Sequence, residues 1–426
     1  MIAHLLSLWD RVRTSLWALP LAMALAGAAL APLALSSALP ENTTIAWLYG
    51  GDAQDAQAFA AALIGAMITL TTLAISITMV VLTLAAQQLG PRLIQIFMSD
   101  LSTKFSLGFF LGSNIYLLLL LRALDGNGAE DNTPTIAVTL GTALVILSLV
   151  TLLFFVHGLA RSIVSDHVIA RVGQILDDEI ATVFTAVRRN TEARAPEGGE
   201  PISLNACGYV QRINYESLVS AAHKHNAYIM LTYHPGGHIL AAETDAWVIA
   251  DTKERDKLAK ALSSNIVIAP ERTIGQDPIW SARQLVEIAL RALSPGINDD
   301  FTALAVIDRL TASLSHLMQS GVYPSTWSDK DGVARVFGPA PDFGDILDAA
   351  FDQIRVAGAH KQRILLNMAQ NLARLAALAE TPHAPALRRH VGLLQRTSAR
   401  AIADDLEREE ILEPLQAAEA RLAALC

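Results

Sequence analysis

Six residues between positions 65 and 87 have the types and spacing to make a polar track through an apolar medium. Gly65, Thr69, Thr72, Ser76, Thr83 and Gln87 recur at steps of three, four or seven, the repeat that places residues on one face of a helix. Hydroxyls and a carboxamide exchange hydrogen bonds with water, an ion's hydration shell or a small solute, so one reading is a pathway assembled from several copies of the helix. The same residue types also let helices approach closely, each hydroxyl bonding its own carbonyl four residues back, so the other reading is packing. A second constellation is Arg291, Asn298 and Asp299, held around the turn Ser294-Pro295-Gly296. Asn and Asp at that point cap the helix that follows, and the same three side chains within reach of one another can bind a cation or an effector. A third is a group of four of the eleven histidines, His223, His225, His234 and His238. Their spacing matches no zinc pattern and no cysteine or carboxylate pair accompanies them, so no metal site is expected.

The elements that must hold these residues follow from where charge is missing. The 426-residue chain is 52% hydrophobic and only 17% charged, below the roughly one quarter usual for soluble domains. Only five of its 32 Lys and Arg residues precede residue 161. Four stretches, about 15–39, 58–86, 105–124 and 135–158, reach the roughly 20 apolar residues that a hydrocarbon layer demands of a helix. The first imitates a cleavable signal peptide, with Arg11 and Arg13 before it and Ser36-Ser37-Ala38 after it, but its apolar part is too long for a signal core and it is read as a retained span.

Loop charges orient the four spans. Arg11 and Arg13 precede the first, Arg92 and Lys104 lie between the second and third, and Arg161 and Arg171 follow the fourth, while the loops at 40–57 and 125–134 carry acids and no Lys or Arg. Under the positive-inside rule both termini are cytoplasmic. Gly90-Pro91 breaks the second span, and the segment after it reads as an interfacial helix on which Arg92 is either a topology anchor or a contact to lipid phosphate or a neighbouring subunit.

Beyond the spans the charge is that of a water-soluble region. A helix and linker are expected over 161–200, a small α/β module over 201–252, and a helical domain over 253–426, with long segments at 343–380 and 384–424 broken at Thr381-Pro382. The acidic trio Asp177-Asp178-Glu179 is placed on polar helix faces. The fold class expected is thus mostly α, a four-helix transmembrane region followed by a cytoplasmic region with a small α/β module and a helical bundle.

Several short runs together carry a family resemblance. Gly90-Pro91-Arg92 with Phe97-Met98 and Asp100, Gly108 with Phe110-Leu111-Gly112, Gly208-Tyr209-Val210, and above all Arg291-Ala292-Leu293-Ser294-Pro295-Gly296-Ile297-Asn298-Asp299 resemble a bacterial family of predicted integral membrane proteins, domain of unknown function 2254. Asp300 stands where that pattern usually has Pro. The resemblance implies a multi-pass inner-membrane protein and supplies no activity, cofactor or catalytic residue.

Function classes narrow accordingly. A net charge of −9 disfavours a nucleic-acid binder, and two cysteines make no disulfide framework. No P-loop, dinucleotide fingerprint, nucleophile elbow or metalloprotease helix occurs, so neither an enzyme nor a bound cofactor is expected. Two readings remain open: a homo-oligomeric channel or transport protein for ions or small solutes with a cytoplasmic regulatory region, and a membrane-anchored sensor or scaffold whose cytoplasmic domain binds a partner and whose spans only pack, with no transport.

Overall fold

The computed structural model describes residues 15–37, 48–88, 98, 100–126, 134–162, 165–184, 194–321 and 325–425. These form thirteen α-helices and eight short strands, in two compact units, one up to Ser162 and the other from Ser165 onward. Arg92 and the segment expected to be an interfacial helix lie outside the described residues, apart from Met98 and Asp100.

The first unit holds four helices long and apolar enough to cross a membrane: α1 (Ala18–Leu35), α2 (Ala53–Gln88), α3 (Leu101–Gly126) and α4 (Thr135–Ser162). Where lipid offers helices no hydrophobic reason to associate, close backbone approach and interhelical hydrogen bonds bring them together. Both are present. A Cβ built on Gly27 of α1 would sit 2.2 Å from the carbonyl oxygen of Gly112 on α3, and one on Gly112 would sit 2.7 Å from the carbonyl oxygen of Met23. Only hydrogen fits at this crossing. Gly112→Val is therefore expected to weaken the unit by about 1–3 kcal/mol, read as a lower melting temperature of the detergent-solubilised chain.

Polar groups inside the unit are bonded across helices. Asn114 Nδ2 on α3 donates to Thr71 Oγ1 on α2 at 2.6 Å, and Tyr116 donates from its hydroxyl to the Ala137 carbonyl on α4 at 2.7 Å. The apolar seam of α2 runs through Ala56, Ala60, Ile64, Met67, Ala74, Val81 and Ala85, all buried.

The second unit begins with α5 (Ser165–Phe184) and contains two small sheets. The five-stranded sheet has the order β1 (Glu200–Ile202), β5 (Ala246–Ile249), β3 (Tyr228–Leu231), β8 (Ala334–Phe337), β7 (Thr326–Ser328). All neighbours are antiparallel except β3 and β8. The three-stranded sheet has the order β4 (His238–Ile239), β2 (Gly208–Ile213), β6 (Ile266–Ala269). Helices α6 (Tyr215–Lys224) and α7 (Arg255–Asn265) bury Leu218, Ala222, Leu258 and Leu262 in the core that these sheets share. The sheet module thus reaches past residue 252 to take in β6, β7 and β8, runs of three or four residues too short to show a strand period.

The remainder is a helical layer: α8 (Pro278–Ala292), α9 (Asp300–Ser320), α10 (Phe343–Ala357), α11 (Gln362–Leu378), α12 (Ala384–Ala401) and α13 (Asp405–Ala423). The two long segments expected at 343–380 and 384–424 are each a pair of helices. Gly358 ends α10 as its C-cap, and Asp404 caps α13 by accepting from the Leu406 and Glu407 amides.

Candidate functional site

Helix α2 carries its polar track on the side that the unit leaves uncovered. Gly65, Thr69, Thr72, Ser76, Thr83 and Gln87 are all exposed, about 140–200° around the helix from buried Met67 at 3.6 residues per turn. Among the described residues no other span covers this face. The Thr69 and Thr83 hydroxyls donate to the carbonyls of Gly65 and Met79 at 2.9 and 2.8 Å, whereas those of Thr72 and Ser76 have no hydrogen-bond partner among the described residues. The outer face therefore offers a ladder of hydroxyl oxygens to whatever lies beside it. A second polar set on α2, Thr71 and Thr78, faces inward: Thr78 is buried and donates to the Ala74 carbonyl at 2.7 Å.

In the second unit the capping expected of Asn298 and Asp299 after α8 falls to Asp299 alone. Asp299 is the N-cap of α9, its carboxylate accepting from the Thr302 amide at 3.1 Å and the Thr302 hydroxyl at 2.5 Å. Those bonds hold the Asp299 carboxyl below its ordinary pKa. Asn298 instead takes the left-handed backbone, φ 52°, which Asn tolerates better than most residues. Its Oδ1 accepts from Lys361 Nζ at 2.6 Å, and the same ammonium reaches Asp300 at 2.5 Å. Arg291 lies in the last turn of α8, and its carbonyl accepts from the Ser294 hydroxyl at 2.6 Å. Lys361, at the start of α11 and 63 residues from Asn298, had no local signal in the sequence. Asp299→Ala is expected to destabilise the second unit by about 1 kcal/mol through the lost cap, and Asn298→Gly, which keeps the turn, by less. Denaturant titrations of the two variants check that order.

The four histidines go to four separate places. His223 Nδ1 bonds Asp329 at 2.8 Å, His225 pairs with Glu254, His234 Nδ1 meets the Pro235 carbonyl at 2.6 Å, and His238 packs edge-on against Tyr209. His223, Asp329 and Asp331 do lie within 4.8 Å of one another. The Arg335 guanidinium, however, donates to Asp329 at 2.9 Å, and two backbone amides fill its other oxygen. The arginine holds that carboxylate well below its usual range, so Asp329 is already paired with a fixed cation, while Asp331 is exposed.

Of the acidic trio on α5, only Asp178 is exposed. Asp177 pairs with Arg309 on α9 and accepts from the Ser313 hydroxyl at 2.6 Å. Glu179 is 4% exposed, accepting from the Gly275 amide and from the Ser281 hydroxyl. Burial is the main cause that pushes its carboxyl up to about 7, with the nearby Asp277 charge adding to it and the two hydrogen bonds opposing it. Asp277, also buried, pairs with Arg272 at 2.5 Å. Glu179 stands three residues after Leu176 and seven after Val172, both buried, so its place on the apolar face of α5 was there to be read.

Comparison with known proteins bears on the chain as a whole. A family model described as a predicted membrane protein (DUF2254) matches residues 13–374. The chain belongs to that family. Similar proteins include an uncharacterized protein of Mycobacterium bovis and another of Mycobacterium tuberculosis, each 27% identical over 376 residues, covering 86% of this chain and 72% of the relative. No solved structure matches. The outward track of α2, the Asn298 turn and buried Glu179 all lie inside the stretch matched to DUF2254, whereas α12 and α13 lie beyond it.

Proposed function

We propose that this chain is a homo-oligomeric channel or transport protein for ions or small solutes. It sits in a bacterial inner membrane with both termini cytoplasmic, and its second unit acts as a cytoplasmic regulatory region. The observation that supports this most is the position of the α2 track, turned away from the seam that packs on the other spans. A lone subunit would present those hydroxyls to hydrocarbon, where polar groups without partners are unfavourable. Several copies around an axis would present them to water instead.

A second reading has its own support. The back-bonding of Thr69 and Thr83 to their own carbonyls leaves those hydroxyls content in a dry contact between copies, as in a scaffold whose spans only pack. Ion and solute flux from liposomes containing the purified protein, with its native mass measured on the same sample, separates the two. Flux from an oligomer supports the channel reading, and a tight bilayer around a folded oligomer supports the scaffold.

A further inference from the structure

In the second unit the ends of α10 and α12 enclose a cleft of about 260 Å³ lined by Arg355, His360, Arg396, Thr397 and Arg400. That is many times the roughly 10–15 Å³ that a single water needs. No carboxylate lines it. The acids of α10 that face α12 are engaged one or two turns earlier: Asp348 with Arg389 and His390, and Asp352 with Arg389 at 3.7 Å and Arg355 at 3.5 Å. Arg396 and Arg400 are exposed and have no acidic partner among the described residues. Arg355 is mostly covered, 16% exposed, and donates to the Thr397 hydroxyl at 2.9 Å. Its Nε is buried with no partner.

Arg355 and Arg400 each stand in the last turn of a helix, where a cation complements the helix dipole. That role does not require three guanidinium groups to share one hollow in a protein whose net charge is −9. Planar guanidinium forks match phosphate oxygens two at a time. We propose that this cleft binds a phosphate group, carried either by a soluble phosphorylated solute or by a lipid headgroup. Arg396 and Arg400 grip its oxygens, and Arg355 supplies fixed charge from the floor.

Equilibrium binding of radiolabelled inorganic pyrophosphate to the full-length protein in neutral, lipid-free detergent at low ionic strength tests this. Saturable binding is expected. The double variant Arg396→Gln/Arg400→Gln should weaken it at least tenfold without changing the melting temperature. Lys253→Gln/Lys260→Gln, which removes the same charge from exposed positions of the sheet module, should leave it intact. No saturable binding, or equal loss in both double variants, overturns the proposal. In phosphatidylcholine nanodiscs, displacement of pyrophosphate by added phosphatidic acid identifies a lipid headgroup as the source, and undisturbed binding identifies a soluble solute.

Discussion

Replacing Ser76 or Thr83 by leucine is expected to cut flux through the reconstituted protein at least tenfold while the oligomer stays intact. Both residues are exposed on the outer face of α2, so neither substitution disturbs the seam that runs through Met67 and Ala74. In a hydrated path a leucine removes a hydrogen-bonding oxygen and adds apolar volume, which raises the barrier to wetting at a constriction. Thr83→Val separates the two effects, because it keeps the volume and removes only the hydroxyl. Its flux should fall between wild type and Thr83→Leu.

The same leucines give different results under the competing arrangements. Against lipid a leucine is preferred over serine, so the variants would be at least as stable as wild type and equally silent in flux. In a dry contact between copies the added methylenes overpack the interface, at about 1–3 kcal/mol per site, and the oligomer would dissociate. Unchanged flux from an intact conducting oligomer would falsify the pathway. Native mass and flux on one sample therefore distinguish path, lipid face and dry contact.

The periodicity of α2 identified which residues share a face but not which face meets the other spans. Hydroxyl and small residues serve packing and pathway alike, so that choice was invisible until the seam through Ala56, Met67 and Ala85 appeared on the opposite side. The spans themselves were legible because lipid forces length and composition together. Gly108 and Gly112 stand out in the sequence, yet what each meets on α1 is distant in the chain: Met23 and Pro20 for Gly108, Met23 and Gly27, the latter 85 residues away, for Gly112. At the α9 N-terminus Asn298 and Asp299 are chemically interchangeable as caps, and the bonds that Asp299 accepts from Thr302, with the left-handed φ at Asn298, assign the cap to Asp299. Glu179 was misplaced for a different reason: two neighbouring aspartates suggested a solvated face, although its spacing from Val172 and Leu176 put it among buried residues.

That misplaced carboxyl carries the largest pH effect expected of the second unit. Its carboxyl is raised from 4.5 to about 7 in the folded chain, so the folded state holds a proton that the unfolded state has lost between those values. The contribution of Glu179 to stability therefore falls as pH rises from about 4.5 to 7 and is flat above, with a total of roughly 3 kcal/mol. Asp277 is also raised by burial, but the Arg272 guanidinium and the charge of His234 pull it back, so the part of the slope that Glu179 carries is read as the difference between wild type and Glu179→Gln. Glu179→Gln is neutral and nearly isosteric. Its carbonyl takes the Gly275 amide and its NH2 donates to the Ser281 hydroxyl, so it should remove the slope and make the unit more stable than wild type at pH 8. Glu179→Leu should remove the slope too, but lower stability throughout, because the buried Ser281 hydroxyl loses its acceptor and the Gly275 amide loses its bond. Hydrogen–deuterium exchange of α5 and α8, corrected for intrinsic rates, reads this locally within the second unit. Equal pH slopes in wild type and Glu179→Gln would place the proton elsewhere.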